Sequence, residues 1–120
     1  MDTEAKVQAS VLLAIGSLDG VYVERRNAGA FMGRGGLVRA GVAVVADILC
    51  VVDGRAVALE CKTQTGRLST VQKRWRDAWR KAGGFYAVVR SPHQALKAIR
   101  QVRNESQRVS LRTCLMALSA

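Results

Sequence analysis

The chain has a single histidine, three cysteines, fewer than half as many acidic as basic residues, and no apolar run of bilayer length. Each scarcity closes off a class of answer. With His93 alone, histidine–metal clusters, Ser-His-Asp triads and Cys-His pairs lack material. His93 itself reads as a solvated residue at a helix start. Cys50, Cys61 and Cys114 are odd in number and show no CxxC spacing. Two of them fall in predicted strands, where a free thiol behaves as a small hydrophobe. A zinc site or a disulfide framework is therefore not expected, and a reducing, intracellular and cytoplasmic setting fits. A membrane span needs about 18 consecutive apolar residues, and Met1-Asp2-Thr3-Glu4 lacks the basic start of a signal peptide. No repeat, low-complexity tract or linker interrupts the sequence.

What the chain does have is positive charge. Nineteen Lys and Arg stand against nine Asp and Glu, a formal net charge of +10. Such a field favours a polyanionic partner, with nucleic acid the leading class. No broad basic amphipathic helix points to a membrane surface instead. At 120 residues, 49 % of them apolar, one globular domain with a real core is expected.

Local patterns alternate between helix and strand. Thr3 caps a predicted helix reaching about Leu18, with Glu4, Val7, Gln8, Val11, Ile15 and Leu18 on one stripe. Val21 to Arg26 alternates as a strand. Residues 27–41 hold five glycines with Arg34 and Arg39, and read as an irregular segment whose amides can approach phosphate. The pattern is neither a P-loop nor a dinucleotide fingerprint. Ser69-Thr70-Val71-Gln72 has the form of a capping box. The helix it opens has Val71, Trp75, Ala78, Trp79 and Ala82 as its core stripe, and Gly83-Gly84 ends it. Phe85 to Arg90 is a short strand, in which Tyr86, like Tyr22 before it, reads as packing. Ser91-Pro92 starts another helix with Ala95, Leu96, Ile99 and Val102 inward. Beyond Asn104 the pattern allows a helix, with Leu111, Leu115 and Leu118 packing or dimerising, or a strand.

The most informative segment lies between. Ala46 to Val52 and Arg55 to Lys62 are two apolar runs separated only by Asp53-Gly54, the strongest short hairpin signal, since a type I′ turn needs positive φ twice. A two-residue loop pairs Val52 with Arg55, Leu49 with Ala58, and sets Asp47 opposite Glu60. Directly opposed Cβ atoms lie about 4.5–5.5 Å apart, which lets both carboxylates hold one hard cation. Lys62 emerges on the face of Glu60, and Cys61 turns away. Ile48 with Leu59 and Cys50 with Val57 line the second face, so both faces read as covered. A charged strand end can also be an ordinary surface ion pair. The length of apolar sequence around both acids argues for a site, because charge buried there must be paired or metal-bound.

Oxygen ligands from Asp47, Glu60 and the Cys61 carbonyl suit Mg²⁺ or Mn²⁺ better than zinc. The ion would polarise a phosphate and lower the pKa of water, while Lys62 holds the attacking hydroxide or stabilises the transition state. Those parts describe phosphodiester hydrolysis. For contacts to phosphate, the candidates are Arg34, Arg39, Arg67, Lys73 and Arg76.

Asp47 followed by Glu60-Cys61-Lys62 resembles the D…(D/E)xK signature of the PD-(D/E)xK nucleases. Several further segments are similar to the VRR-NUC family: Glu4-x-x-Val7-Gln8, Arg26-Asn27-Ala28-Gly29-Ala30, Gly54-Arg55, Glu60-Cys61-Lys62-Thr63, Gly66-Arg67-Leu68-Ser69, Gln72 and Gly83-Gly84. The resemblance spans roughly residues 4 to 100 in order. It implies an α/β fold with a small mixed central sheet flanked by helices, like the restriction endonucleases. It also implies Asp47 and Glu60 as ligands of Mg²⁺ or Mn²⁺, Lys62 as catalytic, and Gln72 and Glu4 as completing the active site. Gln72 is also the capping-box partner of Ser69, and one side chain is not expected to do both jobs easily. The chain departs from the family at Val45-Ala46, where glycine and then a small residue or proline usually precede the aspartate.

The resemblance is to stand-alone, often phage-borne members, which implies a homodimeric endonuclease for branched DNA such as four-way junctions, in a bacterial or phage-infected cell. A nuclease for flaps or linear duplex, and a DNA-binding module with a silent site, are the alternatives. Residues 1–103 are expected to form the nuclease domain, and 104–120 an extension packing on it or on a dimer partner.

Overall fold

The turn at Asp53-Gly54 sets the frame for the rest. Both residues take positive φ, 48° and 87°, as a type I′ hairpin requires. Strands β4 (Ile48–Val52) and β5 (Arg55–Cys61) pair antiparallel from Val52↔Arg55 through Leu49↔Ala58 to Ile48↔Leu59, the expected register. The structure is a computed structural model that describes residues 3–26, 29–33, 36–40 and 45–119, with backbone alone for 29–33 and 36–40. Strand β1 (Val21–Arg25) joins β4 antiparallel, and β6 (Phe85–Val89) joins β5 parallel, so the sheet is mixed with order β1-β4-β5-β6. Parallel pairing demands a crossover, and helix α2 (Thr70–Lys81) supplies it.

Within the stretch read as irregular, residues 29–33 and 36–40 form strands. Strands β2 (Gly29–Gly33) and β3 (Gly36–Ala40) form a separate antiparallel pair, from Gly29↔Ala40 to Gly33↔Gly36. Glycines bracket Ala30-Phe31-Met32 and open Leu37-Val38-Arg39-Ala40, and that composition hides the alternation. Arg34 lies outside the described residues; Arg39 stands on β3 opposite Ala30, its side chain likewise outside them.

Helices α1 (Glu4–Ile15) and α3 (Pro92–Leu118) cover one face of the sheet. The Thr3 hydroxyl accepts the Lys6 amide at 3.2 Å to start α1, which stops at Ile15 rather than Leu18. Leu18 still packs on the core from the turn that follows. Val7, Val11 and Ile15 meet Ile48, Cys50, Val52, Val57 and Leu59 from the sheet and Ala95, Ile99 and Val102 from α3. A fully buried aliphatic side chain contributes roughly 1.5–3 kcal/mol, so this layer dominates the stability. Gly20 takes φ 72°, and a Cβ there would lie 2.4 Å from Asp53 Oδ1. Its carbonyl accepts the Asp53 amide, and Arg103 Nε donates to Asp53 Oδ2 at 3.1 Å, tying hairpin turn to α3.

The opposite face is thinner than the expectation of two covered faces. Helix α2 has no fully buried residue; Val71 is 50 % exposed, and Ala78 and Ala82 are exposed as well. Trp75 and Trp79, stacked 5.0 Å apart, carry the contact with Ala46, Ala58 and Tyr86. Two broad indoles hold the helix high on the sheet, so the small residues beside them never reach it. Beyond this cover Tyr22 and Val51 remain open, 65 % and 45 % exposed. Helix α3 does not break at Asn104. It continues to Leu118, with every residue from Gln107 onward exposed. No helix among the described residues is long and apolar enough to cross a membrane.

Candidate active site

Extending the β4–β5 register by one residue sets Asp47 opposite Glu60, at the hairpin end remote from the turn. Asp47 precedes the ladder at a bend held from three directions. Its carbonyl accepts the Arg26 amide at 2.9 Å and the Gln8 carboxamide at 3.4 Å, and its Oδ2 accepts the Cys61 amide at 2.9 Å. Bonding to the β5 backbone turns the carboxylate towards Glu60. Glu60 is only 4 % exposed. Burial first, then the charge of Asp47 beside it, push its carboxyl up to about 8, although Lys62 pulls the other way. Two carboxyl groups this close and this dry resist joint ionisation.

Gln72 overturns the expectation that it would struggle to fill two roles. Its Oε1 accepts the Ser69 amide at 2.9 Å while the Ser69 hydroxyl accepts the Gln72 amide at 3.1 Å, a complete capping box. At the same time Nε2 donates to Glu60 Oε1 at 3.2 Å. An amide has two chemically distinct ends, and the helix start is aimed so that each finds a partner.

Lys62 lies just past the end of β5, 7 % exposed, with its amide bonded to the Val89 carbonyl at 3.1 Å. Its Nζ lies 3.4 Å from Glu4 Oε1 on α1. Glu4 is 54 % exposed at its side chain, so it meets the site from the solvent edge. The structure therefore brings Asp47, Glu60, Lys62, Gln72 and Glu4 to one end of the sheet. Of the expected phosphate contacts, Arg67 and Lys73 are exposed around the start of α2. Arg76 is half-buried and paired with Asp77 at 2.9 Å, which leaves it less free than expected.

Two supporting residues had no role assigned from the sequence. Gln8 was a position on a helix stripe and in the Glu4-x-x-Val7-Gln8 resemblance. Arg90, at the end of β6, sends Nη1 to the Thr63 carbonyl and to the Gly66 carbonyl at 2.8 Å, clamping the loop between Lys62 and α2. That loop is tight: a Cβ on Gly66 would stand 3.4 Å from Lys62 Cδ and 3.2 Å from Thr63 Oγ1. The departure at Val45-Ala46 also has a packing context, for Ala46 is 2 % exposed against Ala58 and Tyr86.

Among the described residues no three His, Cys, Asp or Glu side chains gather in one cluster, so the acidic set is a pair. All its donors are oxygens, which suits a hard cation. The thiol of Cys61 is no rival ligand, since it is fully buried in the core layer with Val7, Val11 and Ile99. A hollow of about 950 Å³ lies at the other end of the hairpin, between Asp53-Gly54-Arg55 and α3.

A small mixed four-stranded sheet with helices on both faces defines an α/β fold. A solved structure described as a "VRR_NUC domain" shares it, with a TM-score of 0.59 at 24 % identity over 81 % of this chain and 94 % of that one. The likeness is one of fold. No protein-family model and no curated protein matches the chain.

Proposed function

We propose that this protein is a metal-dependent endonuclease of the VRR-NUC kind, hydrolysing phosphodiester bonds in DNA. One observation carries the reading: Asp47 and the buried Glu60 converge, with Lys62 beside them, at the end of a hairpin in a fold shared with a VRR_NUC domain. A buried, mutually repelling carboxylate pair is what a divalent cation relieves. Asp47 and Glu60, with the Cys61 carbonyl, would hold Mg²⁺ or Mn²⁺, and the ion would supply Lewis-acid polarisation of the phosphate. Gln72 holds the Glu60 carboxylate in orientation. Lys62, its ammonium pinned by Glu4, stabilises the charge that builds on the phosphate. The +10 charge, with Arg67 and Lys73 exposed by the site, brings the polyanion in.

We assign branched DNA, four-way junctions above all, as the substrate, and a homodimer as the acting form. The dimer reading is supported by the C-terminal stretch of α3, where Val109, Leu111, Leu115, Met116 and Leu118 are 64–79 % exposed and every described residue from Gln107 onward is exposed. A solitary helical arm of that length is marginal in water, and two sites related by a two-fold axis suit two strands of a symmetric junction.

The test is cleavage of a synthetic four-way junction, a flap and a matched linear duplex, with Mg²⁺ or Mn²⁺ titrated in. Metal-dependent cutting of the junction ahead of the duplex is expected, lost in Lys62→Ala while DNA binding persists. Cutting of flap or duplex in preference would move the assignment to those substrates. A folded wild-type protein that binds DNA and cuts none of the three is a silent binding module.

A further inference from the structure

Tyr86 carries the one buried side-chain polar atom that has no hydrogen-bond partner among the described residues, its phenol oxygen. The residue is 5 % exposed. Its ring packs with Ala46 and Ala58 beneath α2, 6.1 Å from the Trp75 ring and with the Arg80 guanidinium 5.6 Å from its centroid. A phenol deep in a protein almost always finds a partner, because an unsatisfied hydroxyl forfeits its bonds to water. Nothing in this apolar cluster supplies one.

The surroundings point to what does. Tyr86 pairs with Ala58 across β5–β6, two residues before Glu60 on the same face. Ala46 immediately precedes Asp47. The ring thus rests on two small residues, Ala46 next to Asp47 and Ala58 two positions from Glu60, and the alanines leave the space it fills. Burial first, then the charge of Glu60, push the phenol up to about 12, so it stays a donor at any working pH. Glu60 accepts from Gln72 at Oε1, and the Asp47 carboxyl is its other side-chain neighbour.

We propose that Tyr86 is a positioning residue for the carboxylate pair: its hydroxyl donates to the Glu60 carboxylate, directly or through one water, when Asp47 and Glu60 hold a divalent cation. This rests on the metal-binding reading above and adds a residue to it. Ligating carboxylates are themselves held by hydrogen bonds from outside the ligand set, and losing such a bond typically weakens metal affinity 10–100-fold. Gln72 and Tyr86 would then grip Glu60 from the helix and from the sheet.

The experiment is calorimetric titration of Mn²⁺ into wild type, Tyr86→Phe and Glu60→Gln, with metal-free melting curves for each. Tyr86→Phe is expected to weaken Mn²⁺ binding by about tenfold or more while its metal-free melting temperature stays level or rises, since the ring packing is kept and an unsatisfied hydroxyl is gone. Wild-type affinity in Tyr86→Phe overturns the proposal and leaves Glu60 as a ligand. Weaker binding together with a lower metal-free melting temperature also overturns it, as the mark of a merely structural role. A wild type that binds no Mn²⁺, or binding that survives Glu60→Gln, defeats the metal reading and this proposal with it. An independent check needs no Tyr86 variant: in Tyr22→Phe protein only Tyr86 contributes a tyrosine Cζ resonance, which should shift as Mg²⁺ is added. A resonance that stays put under saturating Mg²⁺ counts against the proposal.

Discussion

Gln72 donates to Glu60 at 3.2 Å with one end of its carboxamide and closes the capping box of α2 with the other. The helix start and the candidate active site therefore share a side chain, and substitutions can pull the roles apart. Gln72→Glu retains an oxygen for the Ser69 amide but sets a carboxylate against Glu60. Gln72→Ala removes both functions. We expect the proposed cleavage to fall at least about tenfold in either variant, since a lost hydrogen bond to a charged group costs about 1.5 kcal/mol or more. Gln72→Ala should also lose about 1–2 kcal/mol of stability from the cap and the orphaned Glu60. Gln72→Glu cleaving like wild type would reduce Gln72 to a capping residue.

Glu60 predicts how stability and metal affinity depend on pH. Its carboxyl titrates at about 8 in the folded protein against an ordinary value of 4.5. A raised folded value means that the folded state binds the proton more tightly. Its contribution is fully present below about 4.5 and is lost as pH rises through about 8. Metal-free wild type should therefore lose melting temperature relative to Glu60→Gln across that window. Mn²⁺ must displace the proton, so apparent affinity should rise by up to about tenfold per pH unit and level off near pH 8. A flat affinity profile between pH 5.5 and 8 (roughly the responsive window) would show that Glu60 is ionised without metal.

Arg90 makes a prediction that needs no cation. Its guanidinium holds the Thr63 and Gly66 carbonyls, while its own amide is held by Gln94 Oε1 at 2.8 Å. Arg90→Ala leaves those carbonyls without a charged donor and should cost about 1–3 kcal/mol by denaturant unfolding. Because the clamped loop runs from Lys62 to the start of α2, cleavage should fall further than stability alone explains, with the loss in kcat rather than KM. Arg90→Lys supplies one point charge in place of the planar fork and should rescue stability only in part. An unchanged kcat in a folded Arg90→Ala protein would free the loop from any catalytic role.

Local chemistry made some of this architecture legible in the sequence. Asp53-Gly54 names its own turn, because few other pairs accept positive φ twice, and the turn then dictates the register that sets Asp47 against Glu60. Thr3, Ser69 and Ser91 cap their helices as read, since capping depends on residues within one turn. Depth was hidden. A stripe of Val71, Ala78 and Ala82 records phase around α2 but not its height above the sheet, which Trp75 and Trp79 decide. The paired strands of residues 29–40 were masked by glycine, whose conformational freedom erases the usual signal. Arg90 reaches the loop beside the candidate site across 24–27 residues of sequence. Such contacts exist only after the parallel strand pairing forms, and no spacing rule announces them.

Helix α3 gives the sharpest test of assembly. Leu111, Leu115 and Leu118 are spaced four and three apart, hence on one stripe, and are 64 %, 64 % and 79 % exposed. An antiparallel crossing of two copies centred between Cys114 and Leu115 sets Leu111 of each against Leu118 of the other. Arg108 and Arg112 flank the stripe and would repel across the axis, so burial of the leucines must outweigh them; raising salt should tighten the dimer by screening. Light scattering should give twice the 13.0 kDa chain mass for wild type and the single mass for Leu111→Glu/Leu115→Glu, with the melting curve little changed because neither residue touches the core. Cys114 is the exposed cysteine among three. With helix axes about 8–10 Å apart, a short bismaleimide should join two copies through it, and Cys114→Ser should abolish the product. A wild type that stays monomeric at micromolar concentration, with no Cys114 cross-link, would leave α3 without a second copy and require the two strands of a junction to be cut in separate encounters.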